Sequence, residues 1–133
     1  MSAEPEVLLM VLCEGVRTNS DDAQRIDVLG LMTAIRSVAE PPFPVRQPSL
    51  CALILLTSGH QVGELRLRIL HDHTGHIVFQ SARRQVRFVG DPEAVRGALF
   101  RVRNCTFPTD GLYWVELAFA GSVIARQKLW LKT

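Results

Sequence analysis

The chain has 133 residues, 47% hydrophobic and 21% charged, which fits one domain with one substantial core and excludes intrinsic disorder. Its formal net charge of +2, from 15 basic and 13 acidic residues, is too balanced to imply a polyanionic partner from charge alone. Cys13, Cys51 and Cys105 are odd in number, widely spaced and without a CxxC pair, which argues against a disulfide framework and a zinc knuckle and for small core residues.

Period-2 alternation, punctuated by Gly, Pro, Asp and Asn, recurs along the chain, and no segment carries a sustained helical stripe. Residues 7–17 read as a first strand. Its apolar run is too short to span a bilayer, and no basic segment precedes it to suggest a signal peptide, so no membrane partner is expected and the cytoplasm is the expected location. After the polar loop 18–24, residues 25–38 read as a second strand with Gly30 as a bulge or close-packing point. The four prolines of 39–48 argue against an internal strand there and for a crossover between sheets.

Residues 49–59 form a nearly unbroken apolar run, read as a central strand. In 63–72, Leu65, Leu67 and Ile69 fall on one face and Arg66 and Arg68 on the other. Residues 76–90 hold a return strand and a second one after a kink near Ala82–Arg84. Asp91 as N-cap and Pro92 as first helical residue allow at most one short helical turn near 92–97, before a strand from Ala98. The chain closes as a hairpin in which Tyr113, Val115, Leu117 and Phe119 share one face, Ala120–Ser122 turns, and Val123–Lys132 returns. The expected fold is all-β: an antiparallel two-sheet, immunoglobulin-like sandwich of about eight strands, forming one domain over residues 1–133.

Three groups of residues are candidates for function. The stretch "ILHDHTGHIVF" brings His71, His73 and His76 close enough for a metal site if they converge. The competing reading is a hairpin in which Asp72 makes an Asx-type bond, Gly75 supplies a positive φ, His71 continues the inward face, and His73 and His76 sit in water. The second group is Arg66, Arg68, Arg87, Arg101 and Arg103, with Arg83 and Arg84, which line one solvent face if their strands are neighbours. The third is the set of apolar strands that break alternation, with Leu8, Met10, Leu12, Leu53 and Leu55 offered as interface residues.

No nucleophile elbow, P-loop, GxGxxG or HExxH is present; Asp21 and Asp22 lie in a polar loop, and neither His60 nor His71 has an activated thiol to serve. No cofactor is expected. In order along the chain, "LLMVLCEGVR", "IDVLGLMTAIRSVAEPPFPV", "LCALILLT", the "DHTGHIV" turn and "FPTDGLYWVELAFAGSVIARQKLWL" resemble a family of small bacterial proteins of unknown function. The matching positions are Cys13, Glu14, Leu29, Gly30, Phe43, Pro44, Phe107, Pro108, Gly111 and, one residue late, Tyr113. The resemblance implies a sandwich fold and brings no activity or catalytic residue. The leading expectation is a non-enzymatic protein–protein interaction or accessory module, with another protein or a second copy as partner. An anion- or nucleic-acid-binding face built on the arginines comes second, and a metal-binding hairpin third.

Overall fold

A computed structural model describes residues 4–18, 25–57, 62–87 and 93–133. Ten strands are present among them: β1 (Glu6–Thr18), β2 (Ile26–Met32), β3 (Ala34–Arg36), β4 (Val45–Thr57), β5 (Val62–His71), β6 (Ile77–Gln80), β7 (Arg84–Arg87), β8 (Arg96–Phe107), β9 (Gly111–Phe119) and β10 (Ser122–Lys132). They form two sheets. The first has the order β2-β1-β4-β8; the second has β3-β10-β9-β5-β6, with β7 also paired to β5.

The count exceeds the expected eight because two segments break in ways that periodicity hides. Residues 25–38 switch sheets: β2 pairs with β1 in the first sheet, and after Thr33 the chain joins the second as β3, parallel to β10. That parallel pair departs from the fully antiparallel expectation. On the far side, β6 and β7 follow one another along the same edge of β5. Ser81 bridges the gap, its amide donating to the Leu67 carbonyl at 2.8 Å and its hydroxyl accepting from the Leu67 amide at 2.9 Å.

Two strand boundaries are corrected. Val45–Pro48, read as crossover, begins β4 and pairs with β8. Pro48 is tolerated because β1 reaches β4 only from Cys51 onward, so this end of β4 has β8 on one side alone. No helix forms among the described residues, and Arg96 and Gly97 already belong to β8. Asp91 and Pro92 lie outside the described residues.

The core sits between the sheets. Leu50, Ala52, Ile54 and Leu56 of β4 meet Leu65, Leu67 and Ile69 of β5 and Tyr113, Val115, Leu117 and Phe119 of β9, all buried. Each large apolar side chain so buried contributes roughly 1.5–3 kcal/mol. Tyr113 keeps its hydroxyl satisfied by donating to the Thr109 carbonyl at 2.9 Å, and its ring meets Phe107 edge-on at 5.0 Å. The β9–β10 hairpin turns through Ala120 and Gly121, both at positive φ (50° and 87°), as a two-residue loop between right-twisted strands requires.

Candidate functional site

The two outer sheet faces differ in chemistry. On the first sheet, register places Leu9, Val11 and Cys13 of β1 beside Leu55, Leu53 and Cys51 of β4, with Leu31 of β2 opposite Cys13 and Leu99 of β8 opposite Leu53. None of these belongs to the inter-sheet core. Leu31 is 66% exposed, Leu29 42% and Leu9 39%, while Leu53, Cys13 and Cys51 are closed off beneath longer neighbours. Here lies the reason that Val7–Leu12 and Leu50–Leu56 do not alternate: one side of each strand feeds the core, the other an apolar outer face.

The expected interface residues divide accordingly. Leu53 and Leu55 are on this outer face. Leu12 is buried in the core and Met10 packs against it, so both belong to the inner side. Leu8 occupies a bulge between Val7 and Leu9 and is exposed. The bulge shifts the parity of β1, so the outward residues are Leu9 and Val11, which simple alternation from Leu8 misses.

The arginines do not share one face. Arg66, Arg68 and Arg87 lie on the outer side of the second sheet, whereas Arg101 and Arg103 lie on the outer side of the first, opposite Cys51 and Ser49. Arg84 points between the sheets instead, donating from Nη1 to the Leu99 carbonyl at 2.7 Å with its guanidinium 4.3 Å from the Phe100 ring centre. It caps a carbonyl on the outer edge of β8.

What joins Arg66 and Arg68 is a set of side chains that no sequence motif announces. Glu116, 7% exposed, lies between Arg68 and Arg126 in register, with Arg68 Nε 2.8 Å from Oε1 and Arg126 Nε 3.1 Å from Oε2. The Arg126 guanidinium sits 3.9 Å over the Trp114 ring, and Lys128 Nζ is 5.7 Å from it. Trp114 is fixed at its other end by donating from Nε1 to Asp72 Oδ1 at 2.8 Å. Trp130, more open, follows along β10. The available signal was parity, since an inward Tyr113 and Val115 put Trp114 and Glu116 outward.

The histidine hairpin closes on itself. The His71 amide donates to the His76 carbonyl and the Gly75 amide to the His71 carbonyl, both at 2.9 Å, with Gly75 at φ 72°. His71 Nδ1 accepts from the amides of His73 and Thr74 at 3.2 and 3.3 Å, which leaves the proton on Nε2 to donate to the Asp110 carbonyl at 3.1 Å. Its ring stands edge-on to Tyr113 at 4.8 Å. The turn is therefore capped by His71, and the Asx-type bond expected of Asp72 gives way to the Trp114 contact. Both His71 nitrogens are committed, His73 and His76 are exposed, and among the described residues no three His, Cys, Asp or Glu side chains are grouped to hold a metal ion. His60, Asp21 and Asp22 lie outside the described residues.

All three cysteines are buried thiols. Burial pushes the Cys105 thiol up to about 11, and burial, with Cys51 beside it, raises Cys13. Both effects disfavour the nucleophilic thiolate.

Residues 8–132 match the family of unknown function DUF6941. The chain belongs to that family. No curated protein matches the DUF6941 chain. Among solved structures, the β-glucosidase D2-BGL from Chaetomella raphigera is similar over 92% of this chain at 11% identity and a TM-score of 0.38, and the match spans 18% of that enzyme's length. No helix among the described residues is long and apolar enough to cross a membrane.

Proposed function

We propose that the chain is a non-catalytic interaction module that pairs with a second copy of itself through the outer face of its first sheet. The observation that carries this reading is the apolar character of that face. Three strands carry it in each row, β1 and β4 throughout with β8 at the Leu9 and Val11 rows and β2 at the Cys13 and Gly15 rows, roughly 350 Å² in projection at ~4.8 Å between strands and ~3.4 Å per residue. That lies within the ~300–600 Å² of the largest patches on monomers. With the Arg101, Arg103 and Asp27 rims included it reaches roughly 450 Å², somewhat over half of the ~800 Å² that each partner of a stable pair buries.

The rims argue for a like partner. Arg101 and Arg103 stand along the β8 edge and Asp27 along the β2 edge, where Arg17 is 3.3 Å from it. A two-fold axis parallel to the strands lays the basic edge of one copy over the edge of the other that carries Asp27. The Tyr113–Thr109 hydrogen bond, a corner that recurs in immunoglobulin domains, supports taking the sandwich as immunoglobulin-like. Three free cysteines fit a reducing, cytoplasmic setting.

Sedimentation velocity at micromolar concentration tests the pairing. The expected species has twice the 14.8 kDa chain mass, and Leu31→Asp shifts it to monomer by placing a carboxylate in the apolar face. A wild-type chain that stays monomeric throughout rules the reading out.

A second reading has its own observation: Trp114, Arg126 and Lys128 share the outer face of the second sheet with Arg66 and Arg68. Cations interleaved with aromatic rings suit an anionic partner such as single-stranded nucleic acid.

A further inference from the structure

Two adjoining hollows lie on the outer side of the second sheet. The smaller, about 180 Å³, is lined by Arg66, Arg68, Gln80, Ala118, Gly121 and Val123. The larger, about 400 Å³, shares Arg66, Ala118 and Gly121 with it and adds Glu64, Arg83 and Ala120. We infer that the smaller hollow is an oxyanion subsite, in which a phosphate group is held between the guanidinium groups of Arg66 and Arg68. The inference rests on the second reading above and gives it a place and a ligand chemistry.

The construction is specific to the strand geometry. Arg66 and Arg68 are two residues apart on β5, so both side chains leave the same face about 7 Å apart along the strand. Each guanidinium is anchored through Nε: Arg66 donates to the Ser81 carbonyl at 3.1 Å and Arg68 to Glu116 Oε1 at 2.8 Å. With Nε held, the Nη edges are oriented in advance, and these supply the paired donors that suit a phosphate. Between the arginines the floor is Ala118 and Gly121, which carry too little side chain to fill the space. Gln80 is opposite Arg68 in register and adds an amide donor at the rim.

Charge separates the two hollows. Among the described residues the smaller has no carboxylate in its lining, while Glu64, 3.9 Å from Arg83 Nε, lies in the larger. Glu116 is shared between Arg68 and Arg126, so neither guanidinium is neutralised alone. A phosphate in the smaller hollow therefore meets Arg66, which has no ion pair among the described residues, and Arg68, whose charge Glu116 offsets in part, and the rest of its molecule extends over the larger, where Glu64 and Arg83 offer an acceptor and a donor.

Titration of the full chain with inorganic phosphate, followed through the arginine Nε–Hε resonances at constant ionic strength in chloride, tests the subsite. Saturable movement of the Arg66 and Arg68 resonances is expected. Arg66→Gln should weaken binding at least tenfold, and Ala118→Asp, which places a carboxylate on the floor, should abolish it with Arg66 intact. Arg46→Gln on the opposite sheet should leave it unchanged, and melting curves identify any variant that has lost its fold. Displacement of phosphate by oligothymidylate assigns the ligand to a nucleic-acid backbone, and displacement by phosphoserine alone assigns it to a phosphomonoester. Resonances that move linearly with phosphate, or equally in Arg66→Gln, overturn the subsite. Oligothymidylate that binds through Lys128 and Trp130 with Arg66 unperturbed also overturns it, leaving the broader face in place.

Discussion

Cys105 shows what burial does to a single residue whose chemistry looks open in the sequence. Its Sγ is 3.9 Å from the Val78 carbonyl, and the apolar surroundings raise its pKa from 9.0 to about 11. The folded state therefore binds the thiol proton more tightly than the unfolded chain does. The stability this provides is complete below pH 9 and is lost as pH rises from about 9 toward about 11. The loss is on the order of 2–3 kcal/mol, each tenfold difference in proton affinity being worth about 1.36 kcal/mol. Urea midpoints of the wild type and of Cys105→Ala, compared across that window, should converge as pH rises, because the variant has no thiol to titrate there. Curves that stay parallel contradict it. Cys13 titrates in the same direction in both proteins and cancels. Burial of Cys105 was readable only from its strand-like run, since Asn104 and Thr106 flank it and the positive φ of Asn104 sets it inward with Phe107, whereas the inward Tyr113 follows from plain alternation along β9. Trp114 and Glu116 do not stand out in the sequence, because their meaning depends on partners 42, 48 and 10 residues away: Asp72, Arg68 and Arg126.

At the scale of elements, alternation located the strands well wherever one register held from end to end, as in β5 and β9. It failed where a strand changes register or sheet. The bulge at Leu8 reverses which residues of β1 face outward, and the switch after Met32 sends one apolar segment into two sheets. Neither event leaves a composition signal, since Leu8 stands among leucines and Thr33 is a common strand residue. Gly63 is a subtler case. A Cβ there would lie 2.1 Å from the Phe119 ring, which is buried in the core between the sheets. The close approach lets Phe119 lie over β5, and no sequence pattern distinguishes this glycine from one in a turn. Gly63→Ala should therefore cost roughly 1–3 kcal/mol through overpacking, read as a lower urea midpoint at unchanged slope. Phe119→Leu in the same background should recover part of the loss by withdrawing the ring atoms. Full tolerance of Gly63→Ala would show that the ring moves aside without cost.

For the whole molecule, the decisive property is that the sandwich presents an apolar face on one side and a cation–aromatic face on the other. The proposed self-pairing uses only the first, so the arginines of the two faces should respond differently to mutation. Under a two-fold axis parallel to the strands, Arg103 of each copy approaches Asp27 of the other, and the contact occurs twice per dimer. Asp27→Arg or Arg103→Asp then creates two like-charge contacts, each worth roughly 0.2–1 kcal/mol at an exposed rim. Together they weaken the dimer by about two- to thirtyfold. The double variant, with both charges exchanged, restores opposite charges across the interface and should recover most of the lost affinity in sedimentation equilibrium. Asp27→Arg also sets a cation directly opposite Arg17, a cross-strand cost within one copy that melting curves register separately. Arg66→Gln, on the other face, should leave the dimer constant unchanged. Recovery in the double variant fixes the axis parallel to the strands, because an in-plane axis perpendicular to them would lay β8 over β8 and β2 over β2. Additive losses in the double variant would rule out this arrangement of the two copies.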